Sequence, residues 1–153
     1  MKTLLLSLLI LLSTQAFAQF RNTTWGMSKE EVKKIEDSKP SYENANTLIY
    51  LLNLDDLKCM LEYKFSEVIE LKSINYNYVY KNNKAVANEV LLNRIAKQIE
   101  EKYNKPTSKP TNNTLIWDLK GFSIKAIGEV GPENNQMVKV TYTPKILSLE
   151  DFF

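Results

Sequence analysis

Leu57-Lys58-Cys59-Met60-Leu61-Glu62-Tyr63-Lys64-Phe65 alternates without a break. Leu57, Cys59, Leu61, Tyr63 and Phe65 fall on one side of an extended chain, and Lys58, Met60, Glu62 and Lys64 on the other. Successive side chains of a strand point to opposite faces. The stretch therefore reads as a strand with one packed and one solvated face, the habit of antiparallel sheets. Before it, Thr47 to Leu54 is mostly apolar and ends at the turn pair Asp55-Asp56. After Ser66-Glu67, a long strand is expected from Val68 to Tyr80. Its apolar positions run Ile69, Leu71 and then Ile74, Tyr76, Tyr78, Tyr80. That change of parity near Lys72-Ser73 predicts a bulge, because one extra residue moves every later side chain to the other face.

Two helices bracket these strands. Ser28-Lys29-Glu30-Glu31 has the form of a capping box, with Met27 and Val32 placed as a hydrophobic staple. Glu30 and Glu31 suit the positive end of the helix dipole, with Lys33 and Lys34 beyond them. A short helix is expected from Lys29 to Ser38, stopped by Pro40, burying Val32 and Ile35 over Trp25. A second, longer helix is expected from Lys84 to Tyr103, capped by Asn82 or Asn83. Val86, Leu92, Ile95, Ala96, Ile99 and Tyr103 recur on it at helical spacing. Asn104-Lys105-Pro106 ends it, and the polar stretch from Pro106 to Asn113 reads as a connection. Strands then recur at Thr114 to Lys120, Phe122 to Gly128 and Met137 to Thr143, with turns at Gly121 and Gly131-Pro132-Glu133-Asn134-Asn135. The expected fold is α+β: an antiparallel sheet of about six strands in the order α-βββ-α-βββ, two helices packed on one face, and two similar halves. Residues 144–153 complete the chain as a short helix, an added strand or a loose tail.

The first residues stand apart from this pattern. Lys2 precedes an apolar run from Leu4 to Leu12 broken by Ser7, and Ala16-Phe17-Ala18 has the small-x-small form of a cleavage site. The run is too short for a spanning helix, which needs about 20 residues. Residues 1–18 are accordingly expected to be a signal peptide of bacterial type, and 19–153 a single α+β domain. No cysteine stands directly after the cleavage site, so no lipid anchor is expected, and the expected destination is the periplasm or the exterior. Losing Lys2 lowers the formal charge from its value of +2 by one.

Composition narrows the chemistry. The chain has no histidine and one cysteine. This excludes Ser-His-Asp triads, Cys-His pairs, His-ligated zinc and an internal disulfide. Arg21 and Arg94 are the only arginines, and the lysines are dispersed among nearly as many acids. A nucleic-acid surface would need a basic patch, so none is expected, and neither is a cofactor or a metal.

Phe20-Arg21 followed by Trp25-Gly26-Met27-Ser28-Lys29-Glu30-Glu31-Val32 resembles the start of small exported bacterial proteins in which a Trp-Gly-x-Ser-x-x-Glu-Val motif opens the first helix. Lys102-Tyr103-Asn104-Lys105-Pro106 is similar to their Lys-Tyr-Gly-Lys-Pro helix ending, with asparagine, the next best residue for a left-handed position, replacing glycine. Trp117 and Tyr142 also fit. Those proteins have no assigned activity. Their helix-plus-strands units resemble β-lactamase-inhibitor-like and outer-membrane-assembly lipoprotein domains, which implies action by binding proteins.

Candidate sites follow from residue type. Tyr76, Tyr78 and Tyr80 form an aromatic row on one strand face, suited to a peptide or a glycan; the more ordinary role of such rings is to cover a sheet beneath a helix. Phe152 and Phe153 would enter a partner's groove or extend a sheet edge if exposed, or close the core if packed. The acidic pairs Asp55-Asp56, Glu100-Glu101 and Glu150-Asp151 are neighbours in sequence, which is not the separated carboxylate arrangement of a glycosidase. Cys59 lies among core residues and has no histidine to activate it. The expected function is that of a non-catalytic exported domain binding a protein or peptide in the envelope or outside the cell. The alternatives are a periplasmic binder of a small ligand or glycan, and a carboxylate-based hydrolase.

Overall fold

A computed structural model describes residues 21–67, 70–80, 88–131 and 135–145. The signal-peptide reading, the capping asparagines at 82 and 83, and Phe152 and Phe153 lie outside them. Helix α1 (Lys29–Ile35) precedes strands β1 (Tyr42–Asn44), β2 (Thr47–Leu54), β3 (Leu57–Phe65) and β4 (Leu71–Tyr80). Helix α2 (Asn88–Tyr103) then precedes β5 (Ser108–Thr111), β6 (Thr114–Leu119), β7 (Phe122–Val130) and β8 (Gln136–Pro144). These eight strands form one antiparallel sheet in the order β1-β2-β3-β4-β8-β7-β6-β5.

The α+β, antiparallel character stands, but the expected six strands in the order α-βββ-α-βββ do not. Each helix is followed by four strands, and the two additional ones, β1 and β5, are the sheet's outer edges. Both consist wholly of exposed residues. They bury nothing, so they carry no apolar alternation, and β5 includes Pro110, a residue strands accept at an edge because it has no N–H to donate. Each half is thus a helix with four strands, where three were expected. The halves also differ in weight: α1 has seven residues and buries Val32, whereas α2 has sixteen and buries Leu91, Leu92, Ile95, Ala96 and Ile99.

The local causes of these elements are plain. Ser28 accepts from the Glu31 amide while Glu31 accepts from the Ser28 amide at 2.8 Å, closing the capping box. Helix α1 stops at Ile35, short of the expected Ser38, because the next residue, Glu36, is turned inward as described below. At the end of α2, Asn104 adopts φ 64° and its amide reaches the Glu100 carbonyl, a left-handed helix stop. The Trp117 indole donates to the Asn104 carbonyl at 2.9 Å and pins that stop to β6. Gly121 turns the β6–β7 hairpin at φ 87°.

Register lays the core out in rows across the sheet. Tyr50, Leu61, Tyr76, Val140, Ala126 and Leu115 align as one row, and Leu48, Tyr63, Ile74, Tyr142, Ile124 and Trp117 as the next. These residues share the face that carries Val32 of α1 and the apolar side of α2, and together form the core. Gly128 on β7 brings the start of α2 close: a Cβ there would lie 3.4 Å from that of Asn88. Among the described residues, the opposite face carries no helix. It presents Leu51, Met60, Val79 and Met137 among Lys58, Lys64, Glu62 and Lys139. The bulge is where the parity placed it, since Lys64 pairs with Ser73 and Phe65 with Leu71, leaving Lys72 unmatched.

Candidate functional site

The tyrosine row lies on the helix-bearing face. Tyr76 and Tyr78 alternate outward from the buried Ile74, so parity alone sends both rings to that side. Their rings stack at 6.0 Å and 10° between planes. Tyr142 of β8 closes on Tyr76 edge to face at 5.8 Å. Among the described residues the two helices leave the middle of this face partly uncovered, since α2 lies against β7 and β8 and α1 contributes Val32 to the core. Beside α2 opens a cleft of about 270 Å³. Tyr76, Tyr78 and Tyr142 floor it, with Leu52 and Leu54 of β2 extending the same sheet face; Ile95, Ile99 and Tyr103 of α2 form one wall, and Arg21 stands at the other side. Gln98 and Lys102 add polar atoms from α2, and the Lys102 ammonium stands 5.1 Å above the Tyr103 ring.

Burial pushes the phenols of Tyr76, Tyr78 and Tyr142 well above the ordinary tyrosine range. At neutral pH the floor is thus uncharged, flat and edged with hydroxyl groups. Such a surface binds rings and apolar segments and offers hydrogen bonds at its margin. Among the described residues no carboxylate and no thiol lines it.

The Arg21 wall is fixed from behind. Arg21 Nε and Nη2 donate to the two carboxylate oxygens of Glu36 at 3.3 and 3.2 Å, and the Tyr63 hydroxyl donates to the same carboxylate. The Glu36 side chain is 3% exposed, while that of Arg21 is 44% exposed. Burial works against the Arg21 charge, but the hydrogen bond and charge of Glu36 outweigh it and hold the guanidinium pKa above its usual value. Tyr50 packs edge to face on Tyr63 at 6.0 Å, and burial followed by the Glu36 charge pushes its pKa up to about 12. This cluster ties residue 21 to the end of α1 and to β3, so the cleft has two fixed sides.

Tyr80 has a different position. Its hydroxyl hydrogen-bonds Arg94, whose guanidinium is bidentate with Asp56 at 2.9 and 3.0 Å. The Asp55-Asp56 turn, with Asp55 at φ 48°, is therefore strapped to α2 rather than merely solvated. Cys59 is buried, and its thiol is pushed up to about 12 chiefly by that burial. Among the described residues, no three Cys, Asp or Glu side chains converge as a metal site, and no helix is long and apolar enough to cross a membrane.

Of the expected site residues, the structure brings Tyr76 and Tyr78 together and gives Tyr80 to the Arg94 strap. Arg21, Leu52, Tyr103 and Tyr142 complete the cleft without having been singled out as a site. The helical spacing of Ile95, Ile99 and Tyr103 was the available signal for one wall. Nothing local in the sequence linked it to Arg21, more than 70 positions earlier.

No protein family and no curated protein matches the chain. Among solved structures it is similar to the YjgB protein of the DUF4309 family from Bacillus subtilis, at 12% identity and a TM-score of 0.43, over 77% of this chain and 78% of that one.

Proposed function

We propose that the chain is a non-catalytic, exported binding domain whose cleft over Tyr76, Tyr78 and Tyr142 receives a small ring-bearing ligand, such as a sugar or an aromatic group. One observation carries this reading: the stacked tyrosines floor a concave space between two fixed walls. Its volume of about 270 Å³ lies just below the roughly 300–1,000 Å³ usual for pockets that engulf a drug-sized ligand. It suits one ring or a projecting side chain. The sheet edges support strand addition less well, because β1 is three residues long and β5 contains Pro110.

A second reading, a protein or peptide partner on the helix-free face, is favoured by one feature. Leu51 is 67% exposed there beside Met60, and Val79 and Met137 continue the apolar surface. Methionines adapt readily to varied partners. Titrating a panel of monosaccharides, disaccharides and small phenols into ¹³C-methyl- and ring-labelled protein separates the two readings. Ligands should shift the Tyr76, Tyr78, Tyr142, Ile95 and Ile99 signals. Shifts confined to Leu51, Met60 and Met137 would refute the cleft reading.

A further inference from the structure

The hydroxyl groups of the cleft narrow its ligand. Side chains stand roughly perpendicular to a sheet, so Tyr76 and Tyr78 turn their phenol ends away from β4 and into the cleft they line. Their rings lie 6.0 Å apart and within 10° of parallel. One face of each is thus spent on the other, and the hydroxyl-bearing ends are what a ligand meets. Both residues are half-buried, yet among the described residues neither hydroxyl has a hydrogen-bond partner and neither is sealed from the cleft. Tyr63 and Tyr50 differ, since the first donates to Glu36 and the hydroxyl of the second is enclosed. The raised pKa values of Tyr76 and Tyr78 agree with open hydroxyls: burial is the first cause, and no hydrogen bond is among the causes. Gln98 brings an amide, both donor and acceptor, from α2 to the same space.

Resting on the proposed cleft, we infer that its ligand is a polyhydroxylated ring, a pyranose sugar unit, which hydrogen-bonds the Tyr76 and Tyr78 phenols and the Gln98 amide while its C–H surface lies against Ile95, Ile99 and Leu54. An aromatic or alicyclic ring would strip solvent from both phenols and return no bond to them. That uncompensated loss is what makes a site built for hydroxyls reject an analogue lacking them. A sugar returns each bond, because its hydroxyls are set around the rim of the ring and reach two phenols held apart as these are. Its C–H groups still bury apolar surface.

The test titrates small rings into the chain from Gln19 to Phe153 and reads the Ile95 and Ile99 methyl signals. Methyl pyranosides of glucose, galactose, mannose and N-acetylglucosamine carry the hydroxylated ring, whereas cyclohexylmethanol and benzyl alcohol keep a six-membered ring with a single hydroxyl. At least one pyranoside should shift both isoleucines and bind about fivefold or more tighter than either alcohol. Tyr76→Phe and Tyr78→Phe delete only the oxygen. Each should weaken that pyranoside about three- to tenfold, the range of a neutral hydrogen bond, and leave the alcohols within about twofold. Tyr42→Phe, which deletes a hydroxyl on the edge strand β1, should change neither. Both cleft variants should keep Tm within about 2 °C, because neither phenol is bonded within the described chain; a larger fall would show the hydroxyl committed elsewhere and would overturn the inference. If an alcohol shifts the isoleucines and binds as tightly as every pyranoside, or if neither cleft variant weakens the pyranoside, the sugar inference falls and the cleft stands. If no probe shifts either isoleucine, both fall.

Discussion

Removing Arg21 should cost more than neutralising its partner, and the two changes should be strongly non-additive. In Arg21→Ala, the Glu36 carboxylate loses both guanidinium donors and keeps the Tyr63 hydroxyl. Stripping one partner from a fully buried pair costs about 3–5 kcal/mol. Here the Arg21 side chain is 44% exposed, so water enters as it leaves, and the discounted cost is about 2 kcal/mol. Glu36→Gln removes the charge but keeps an oxygen to accept from Tyr63, and should cost about 1 kcal/mol. In the Glu36→Gln background, losing Arg21 removes a half-exposed side chain facing a neutral amide, for about 0.5 kcal/mol.

The coupling energy is therefore expected at about 1.5 kcal/mol. Urea unfolding followed by far-UV circular dichroism measures it, provided all four proteins share one m-value. At about 2 kcal/mol/M, Arg21→Ala alone should lower the midpoint by about 1 M. Additivity of the two substitutions within about 0.5 kcal/mol would refute the reasoning. It would mean that the Glu36 carboxylate does not depend on Arg21 and that the cleft wall is held in some other way.

Trp117→Phe should cost about 2 kcal/mol, because it leaves a void at a fully buried site and removes the bond that pins Asn104; calorimetry should find Tm lower by roughly 5–10 °C, and a fall under 2 °C would contradict the pinning role. Alkaline titration tests the burial of the phenols. Tyr50, Tyr63, Tyr76, Tyr78 and Tyr142 all have raised pKa values, chiefly through burial, so the folded chain keeps protons that the unfolded chain sheds near pH 10. Their stabilising contribution is complete below pH 10 and is lost as pH rises through the folded values, about 12 for Tyr50. The urea midpoint should therefore fall above pH 10, and at pH 11 absorbance at 295 nm should show at least five of the eight tyrosines un-ionised. Full ionisation at that pH with unchanged circular dichroism would overturn the assignment.

The fold was legible wherever residues bury something. β2 has the bounds its apolar run and the Asp55-Asp56 turn gave, Thr47–Leu54, β3 those its alternation gave, Leu57–Phe65, and the capping box at Ser28 and the bulge at Lys72 sit where pattern alone put them. It was illegible at β1 and β5, whose residues all face water and whose strand character comes solely from hydrogen bonds to β2 and β6. Periodicity has nothing to register in such a segment. The site was half legible for a related reason. Tyr76 and Tyr78 advertise themselves through spacing on one strand, but Arg21, Leu52, Lys102 and Tyr142 meet them through tertiary packing. Tyr80 has the same spacing and is taken by Arg94, because the Asp56 turn brings a guanidinium to that end of the strand.

One unmatched residue joins the fold to the proposed function. Leu71 and Ile74 are both buried although they are three positions apart, which an unbroken strand cannot achieve, and Lys72 supplies the extra step. Without it, a register fixed at Leu71 would send Tyr76, Tyr78 and Tyr80 to the helix-free face, beside Glu62 and Lys139. Half-burying a tyrosine ring is worth roughly 2 kcal/mol at about 25 cal/mol/Å², and three rings depend on the choice. A bulge forgoes about one ladder hydrogen bond, a net of roughly 0.5–1.5 kcal/mol. The balance fixes the register and commits the tyrosines to the face where α2 and the Arg21–Glu36 cluster raise walls around them. The same rings therefore stabilise the sheet through their buried edges, and the proposed binding floor consists of the edges left open, so a row of strand aromatics, ordinary in itself, becomes a candidate site only beside α2 and Arg21.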